Sequence, residues 1–337
     1  MHRRRDISSF DTLITFGDSY TDETRLGYFI DHQTAPPVGW DAPASDSTAS
    51  GGYTWARYVA DYSGARLYNY AVSGAVCSND ITPRWYSAID APFPAVAEYE
   101  VPAFLADSAY VESDGARFMS LEPDATVYAM WIGTNDLGNY AFIDDAQVPG
   151  TTIPDYVDCV YAQFDRLYDN GARFFVLMNN VPLQLAPMYA VLENGGTGPN
   201  RYWPDRSPDA NVTETSYRMW EQVVLTNKEF QYRTPFEVMV ANRYPGATIV
   251  NLDVYNLFMD MYNQPDIYFN STGPANVTGY QNHCDLSGQN CYSLPDPDSF
   301  MWFDPLHKSE QSDRIIAQTF VEAVTGQSDY ATYWESE

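Results

Sequence analysis

The chain has 337 residues, of which 45% are hydrophobic, so it can bury the core of one large domain or of two smaller ones. Asp and Glu number 45 against 18 Lys and Arg, which gives a formal net charge of -27. So acidic a body repels nucleic acid and anionic membrane surfaces, and we expect neither as a partner. No apolar stretch approaches the length that spans a membrane, so we expect a soluble protein.

The N-terminal segment Met1–Arg5 is basic, and no apolar run follows it, so the sequence shows no signal peptide. We therefore expect residues 1–10 to be a remnant at an altered start of a mature chain. No internal repeat or clear linker divides the rest. Residues 11–337 are predicted to form a single domain with long loop insertions at about 33–52, 188–217 and 264–298.

The first predicted strand is the apolar run Leu13–Phe16, which ends at Gly17. Ser19 follows where the strand would pass into a helix. Such a turn lifts a hydroxyl clear of the sheet and places helix N-terminal N–H groups beside it. Ser and Asp also precede helices as N-caps, so the turn alone does not separate a catalytic serine from a structural one.

Further apolar runs predict four more strands, at residues 67–72, 125–132, 173–178 and 247–252. Helical patterns lie between and after them, at residues 53–62, 154–170, 217–244, 255–262 and 309–325. A further helical stretch ends at about residue 119. This alternation predicts a three-layer α/β/α sandwich of the flavodoxin-like type, with a central, mainly parallel five-stranded sheet. Ser19, Gly74 and Asn135 each follow a predicted strand. Because ligands bind at the carboxyl ends of such strands, we expect the three to converge.

A serine hydrolase also needs a base, and the chain has four histidines. His2, His32 and His283 lack an acidic residue at an informative spacing. His307 follows Asp304 by three residues on an Asp-Pro turn, where a carboxylate can reach the imidazole and fix its tautomer. The alternative is a structural Asp-Pro turn with a histidine at the start of a helix.

Four sequence blocks, taken in order, resemble those of the SGNH or GDSL hydrolases. They are Gly17-Asp18-Ser19-Tyr20, Gly74, Gly133-Thr134-Asn135-Asp136 and Asp304-Pro305-Leu306-His307. Tyr20 departs from the leucine of the family pattern, at a position that packs and does no chemistry. The resemblance runs from residue 11 to about 325 and is greatest to the fungal acetylesterases of carbohydrate esterase family sixteen.

The resemblance implies a role for each block. Ser19 would be the nucleophile, His307 the base and then the acid, and Asp304 the residue that orients the imidazole. The backbone N–H groups of Ser19 and Gly74 and the side-chain amide of Asn135 would form the oxyanion hole. Asp18 and Asp136 are expected to hold their turns. No cofactor and no metal are implied.

The four cysteines allow three pairings. Cys284 and Cys291 would close a small loop readily, which leaves Cys77 and Cys159 as the second pair. A zinc site is the competing interpretation, but the cysteines lack paired short spacings. Sequons at Asn211, Asn270 and Asn276 predict glycosylation, and together with disulfides they favour a secreted, extracellular protein.

The family resemblance predicts hydrolysis of short-chain acetyl esters, with acetylated xylo-oligosaccharides from plant walls as the expected substrate. We expect the protein to be a monomer. Asp22, Trp40, Trp85 and Trp203 lie in or near loops that could wall the cleft and contact a sugar. A lipase or phospholipase is the alternative within the enzymes. A carbohydrate-binding protein that lost catalysis is the alternative from another class. A redox or nucleotide-binding protein is disfavoured, because no glycine cluster follows the first strand.

Overall fold

The computed structural model describes residues 9–269 and 271–336. Six strands form its central sheet. They are β1 (Thr12–Gly17), β2 (Arg66–Asn69), β3 (Thr126–Trp131), β4 (Phe174–Met178), β5 (Thr248–Leu252) and β6 (Ala331–Glu335). The spatial order is β6-β5-β4-β3-β1-β2. Strands β1 to β5 are parallel in the flavodoxin-like order, which confirms the predicted fold class.

The sixth strand corrects the predicted five-stranded sheet. β6 pairs antiparallel with β5 along its whole length, from Ala331 opposite Leu252 to Glu335 opposite Thr248. Its side chains are mostly half-buried, as expected of a strand at the edge of a sheet. The prediction missed it because a short edge strand mixes polar and apolar residues and therefore lacks a continuous apolar run.

Eight α-helices accompany the sheet in the described residues. They are α1 (Arg25–His32), α2 (Trp55–Ser63), α3 (Val101–Ala109), α4 (Ile153–Asp169), α5 (Val212–Pro235), α6 (Val254–Asn263), α7 (Pro265–Tyr268) and α8 (Glu310–Val324). Helix α2 packs against α8, while α3 contacts α4 and α4 contacts α5. These two groups cover the two faces of the sheet, as right-handed crossovers require.

Large aromatic side chains fill both interfaces between the helices and the sheet. Trp55 of α2 lies 4.9 Å from the ring of Phe320 in α8 and 6.1 Å from Trp131 at the end of β3. On the other face, Phe104 of α3 packs edge-on against Phe16 of β1 at 5.7 Å. The aromatic residues, which make up 15% of the sequence, therefore serve the core to a large extent.

Helix α4 shows how local signals set the ends of a helix. Thr152 and Asp155 form a capping box at its start, and Pro154 occupies the first turn. Gly171, just beyond its end, has a φ of 102°, which side chains disfavour. The helix observed at Ile153–Asp169 lies within one residue of the predicted helix at 154–170.

Two of the predicted loop insertions contain regular structure. Helix α5 begins at Val212, inside the insertion predicted at 188–217, because Asn211 caps it by accepting a hydrogen bond from Glu214 N–H. It ends at Pro235 and continues as a π-helical turn over Phe236–Val240. In the insertion predicted at 264–298, the strand Asn276–Tyr280 pairs with Phe300–Trp302.

Smaller strand pairs occur at Trp85–Tyr86 with Ala91–Pro92 and at Asn282–His283 with Tyr292–Ser293. Two disulfide bonds link Cys77 with Cys159 and Cys284 with Cys291. No helix of residues 9–269 or 271–336 has the length and apolar character needed to cross a membrane.

The three predicted glycosylation sites differ in their surroundings. Asn211 is exposed at the start of α5, and Asn276 is half-buried, with its side-chain oxygen accepting a hydrogen bond from Gly279 N–H. Asn270 lies outside the described residues. Attachment of glycans at these positions stays a prediction.

Candidate active site

The turn after β1 presents Ser19 at the carboxyl edge of the sheet. Gly17 ends the strand with a φ of 151°, and a Cβ atom there would lie 2.2 Å from the carbonyl oxygen of Trp131 on β3. Only glycine allows this close approach of the two strands. Asp18 then holds the turn, because its carboxylate accepts a hydrogen bond from Tyr20 N–H at 2.9 Å.

The structure brings Ser19, His307 and Asp304 into one hydrogen-bonded line. His307 Nε2 lies 2.8 Å from Ser19 Oγ. On the other side of the ring, Nδ1 lies 3.0 Å from Asp304 Oδ1 and 3.1 Å from Oδ2. All three side chains are buried, with exposed fractions of 6%, 3% and 1%. An imidazole held this way can accept the serine proton while the carboxylate stabilises the resulting imidazolium.

Asp304 is held by more donors than the histidine alone. Its Oδ1 accepts backbone N–H groups from Leu306 at 2.9 Å and His307 at 2.8 Å. Its Oδ2 accepts the hydroxyl of Tyr202 at 2.6 Å and the guanidinium of Arg201 at 2.8 Å. Burial favours the neutral acid, but His307, Arg201 and Tyr202 outweigh it and lower the pKa of Asp304 to about 2.

Arg201 and Tyr202 were not predicted from the sequence. They lie more than 100 residues before Asp304, in the segment that was predicted to be an irregular insertion. Tyr202 also packs its ring against His307, with centroids 5.0 Å apart. The adjacent pair Arg-Tyr carries no local signal of such contacts, so the sequence offered no means of finding them.

Gly74 and Asn135 follow β2 and β3, the two strands that flank β1. Gly74 has a φ of 94°, a conformation that favours glycine. Asn135 donates one side-chain N–H to Ala75 O at 2.9 Å, and its Oδ1 accepts a hydrogen bond from Arg84 at 3.2 Å. Within the described chain, the backbone N–H groups of Ser19 and Gly74 donate to no protein acceptor.

Buried acids tie these turns together. Glu100 accepts hydrogen bonds from Gly17 N–H at 2.9 Å and Val72 N–H at 3.2 Å, and so links the ends of β1 and β2. Asp136 accepts one from Cys77 N–H at 2.9 Å. Burial raises the pKa of Glu100 well above its ordinary value and raises the pKa of Asp136 to about 7. By accepting backbone N–H groups, both acids fix the conformation of the loops that carry Ser19, Gly74 and Asn135.

Asp22 has a bracing position rather than a place in the cleft. It is 4% exposed, and its carboxylate accepts backbone N–H groups from Arg25 at 2.8 Å, Leu26 at 3.2 Å and Ser73 at 2.8 Å. These bonds cap α1 and join it to the Gly74 turn. The predicted sugar contact by Asp22 is therefore wrong, because the backbone already occupies its oxygens.

Trp40 packs against helix α1. Its ring packs 4.9 Å from Tyr28, and the guanidinium of Arg25 stacks on it at 5.3 Å. Tyr28 and Arg25 belong to α1, so Trp40 packs the long loop after that helix against the helix itself. Trp40 remains half-buried, and its contact with a sugar stays a prediction.

Trp85 and Trp203 each follow, in sequence, a residue that contacts the site. Trp85 is 63% exposed and follows Arg84, which contacts Asn135. Trp203 is half-buried and follows Tyr202, which contacts both His307 and Asp304. Their contact with a sugar stays a prediction.

Comparison with known proteins identifies the family of the chain. The sequence model of the family described as GDSL-like Lipase/Acylhydrolase matches residues 13–320. A curated acetylesterase of Hypocrea jecorina is 43% identical over 328 residues, which cover 97% of this chain and 92% of that protein. A second acetylesterase, from Thermothelomyces thermophilus, is 26% identical over 96% of this chain and 91% of its own.

Among solved structures, an acetylxylan esterase from Geobacillus stearothermophilus aligns with 95% of this chain and 96% of its own. Its sequence identity is 13% and the TM-score is 0.43. The family match covers the first five strands, apart from Thr12 at the start of β1. It includes Ser19, Gly74, Asn135, Asp304 and His307. The chain belongs to the GDSL-like lipase and acylhydrolase family of ester hydrolases, as its sequence blocks predicted.

Proposed function

We propose that this protein is a serine esterase that removes acetyl groups from its substrate through an acyl-enzyme. The observation that carries the proposal is the continuous line from Ser19 Oγ through the His307 imidazole to the Asp304 carboxylate. Two relatives that cover nearly the whole chain are named acetylesterases, which supports a preference for the acetyl group.

In the first half of the reaction, His307 Nε2 takes the proton of Ser19 as Oγ attacks the ester carbonyl. The N–H groups of Ser19 and Gly74 and the Asn135 amide stabilise the negative oxygen of the tetrahedral intermediate. His307 then protonates the leaving alcohol. In the second half, His307 removes a proton from water as the water oxygen attacks the acetyl-serine. His307 then returns this proton to Ser19 Oγ as the bond to the acetyl group breaks and acetate leaves.

The substrate we propose is a short acetylated sugar of plant cell walls, such as an acetylated xylo-oligosaccharide. Exposed Trp85 follows Arg84, which contacts Asn135, and Trp203 follows Tyr202, which holds Asp304, so both rings are candidates for stacking on a sugar. The two disulfide bonds support action outside the cell, where such substrates occur. Neutral sugars also suit the strongly negative protein.

A panel of esters tests the proposal. We expect release of acetate from acetylated xylo-oligosaccharides and of nitrophenol from p-nitrophenyl acetate. Ser19→Ala should reduce both rates at least about 1,000-fold because the nucleophile is lost. Ser113→Ala, at an exposed position, is the matched control and should retain full activity. Normal turnover by a folded Ser19→Ala variant would disprove the assignment.

A series of p-nitrophenyl esters separates the acetylesterase from a lipase, since the family includes enzymes for longer acyl groups. We expect kcat/KM to fall sharply beyond short acyl chains. A maximum at long chains would instead establish the lipase alternative. Binding of xylo-oligosaccharides without any ester turnover would favour the non-catalytic alternative.

A further inference from the structure

Arg84 occupies the space behind the proposed oxyanion donors. Its Nη1 donates hydrogen bonds to Gly74 O at 2.8 Å and to Asn135 Oδ1 at 3.2 Å. Its Nη2 lies 3.5 Å from the carbonyl oxygen of Asn139. One guanidinium thus contacts the two residues, from two separate turns, that would supply donors alongside Ser19.

The contact with Asn135 determines which end of the carboxamide faces the substrate. Arg84 can only donate, so it requires Oδ1 on its side of the group. The carbonyl of Ala75 accepts from Nδ2 at 2.9 Å and imposes the same orientation. With Oδ1 held by Arg84 and one N–H of Nδ2 held by Ala75, the second N–H is left for the oxyanion. A flipped amide would present its oxygen to the negative charge.

The contact with Gly74 fixes the other turn. Gly74 adopts a φ of 94°, and the hydrogen bond from Arg84 anchors its carbonyl in that conformation. The phenyl ring of Phe93 covers its Cα, at 3.0 Å from the position of a Cβ atom. Oxyanion donors act best when their positions are set before the reaction, so a rigid anchor favours catalysis.

Arg84 also places a permanent positive charge beside Gly74 and Asn135, the proposed oxyanion donors. Burial lowers the pKa of Arg84, and the nearby Asp136 opposes that effect. A guanidinium retains its proton throughout the working range of enzymes. The charge of this half-buried side chain is therefore present when the tetrahedral oxygen becomes negative.

We infer that Arg84 is a positioning residue that orients Gly74 and Asn135 for binding the oxyanion and supports the developing negative charge. This inference rests on the proposed esterase function. It predicts that loss of Arg84 impairs the chemical step far more than substrate binding, because Arg84 acts through the donors and not on the bound ester.

Arg84→Gln, Arg84→Ala and Arg84→Lys test the inference with p-nitrophenyl acetate as substrate. For Arg84→Gln and Arg84→Ala we expect kcat to fall about 10- to 100-fold, with KM changed less than about threefold. Arg84→Lys, which keeps the charge and one donor, should recover part of the loss. Arg117→Gln, at an exposed arginine, is the matched control and should leave both constants unchanged.

Two further measurements separate positioning from a general loss of structure. Inactivation by diethyl p-nitrophenyl phosphate also develops negative charge on an oxygen in the hole, so its rate should fall in parallel with kcat. Added guanidinium ion, kept below denaturing concentrations, should partly restore Arg84→Ala but not a variant of Asn135. Circular dichroism and thermal unfolding identify variants that misfold. If Arg84→Gln and Arg84→Ala misfold, the kcat of Arg84→Lys is compared with that of the unsubstituted enzyme instead.

The inference is overturned if folded Arg84→Gln and Arg84→Ala keep kcat within about threefold of the unsubstituted enzyme. It is also overturned if KM rises while kcat and the phosphorylation rate do not change. Ser19→Ala, measured in parallel, distinguishes this failure from failure of the proposed function. An inactive Ser19→Ala with active Arg84 variants removes only the inference, whereas an active Ser19→Ala removes the proposed function itself.

Discussion

The carboxylate of Asp304 is the most heavily hydrogen-bonded group of the site. Backbone N–H groups of Leu306 and His307 face Oδ1, while Tyr202 and Arg201 face Oδ2. With a pKa of about 2 it remains ionised wherever we expect the enzyme to work. Its pKa lies below that of an ordinary aspartate, so it stabilises the folded protein at higher pH. This stabilisation is lost as the pH falls from about 4 through about 2.

Tyr202→Phe removes one of these donors and leaves the ring that packs on His307. We expect the pKa of Asp304 to rise from about 2 towards its ordinary value. The free energy of unfolding at pH 7 should fall by about 2 kcal/mol, as for other hydrogen bonds to a charged group. The deficit should shrink as the pH falls through about 4 to 2, where the carboxylate becomes protonated in both proteins.

Urea unfolding between pH 2 and 7 measures this difference. The exposed Tyr217→Phe is the control and should unfold as the unsubstituted protein does at each pH. Slower ester hydrolysis by Tyr202→Phe should accompany the change, since His307 loses part of its orientation. A deficit that stays constant down to pH 2 would show that Tyr202 does not act through the charge of Asp304.

Among individual residues, those that could be predicted to form the site are close together in the chain or directly follow predicted strands. Asp304 and His307 are three positions apart on a proline turn, and their contact could be predicted from that spacing. Tyr202 and Arg84 could not be, because each reaches its partner from an irregular segment. Asp22 was placed in the cleft because a loop carboxylate looks available, whereas here backbone N–H groups consume it.

Among the structural elements, the turn after β2 has a covalent anchor. Cys77 lies three residues beyond Gly74 and is joined to Cys159 of α4 across 82 residues of sequence. Cys284 and Cys291 are separated by only 7 residues. A crosslink that closes a longer loop removes more conformational entropy from the unfolded chain, so the two bonds should differ in their effect on stability.

Replacing both Cys77 and Cys159 by serine should lower the free energy of unfolding by about 4 kcal/mol on this basis. The matched double substitution of Cys284 and Cys291 should cost about 2 kcal/mol. Equilibrium unfolding in urea, with both proteins kept oxidised at the remaining bond, gives the comparison. Equal losses, or a larger loss for the shorter loop, would contradict the assignment of Cys77–Cys159 as the main covalent anchor.

The elements that could be predicted are those with a single strong pattern. Four of the five parallel strands are largely apolar and buried because helices cover both faces of the sheet. Helix α4 carries both of its end signals. The start of α5 at Val212 was missed because its cap is an asparagine that also belongs to a sequon, within a stretch rich in proline and glycine.

At the scale of the whole molecule, the strand order explains why distant segments meet. β1 lies between β2 and β3, so successive crossovers run in opposite directions on its two sides. Such a switch point opens a crevice at the carboxyl edge of the sheet, and Ser19, Gly74 and Asn135 follow the three strands that form it. The sequence predicts that the three residues lie at the carboxyl edge of the sheet. It does not predict the order of the strands, because that order depends on packing between distant elements.

The opposite end of the chain completes the site. Residues 303–309 lead into α8, and Ser309 caps that helix by accepting a hydrogen bond from Ser312 N–H. This segment carries His307 to Ser19 across 288 positions of sequence. The family match at residues 13–320 spans both ends of this contact. Assignment of residues 11–337 to one domain stays a prediction.

The central claim is that Ser19 is the nucleophile activated by His307, and covalent labelling tests it most directly. Diethyl p-nitrophenyl phosphate should add a single diethylphosphoryl group, which peptide mass spectrometry should locate on Ser19. Labelling should disappear in Ser19→Ala and slow greatly in His307→Ala, in parallel with the loss of ester hydrolysis. Labelling of a different residue, or full labelling and hydrolysis without Ser19, would contradict the account.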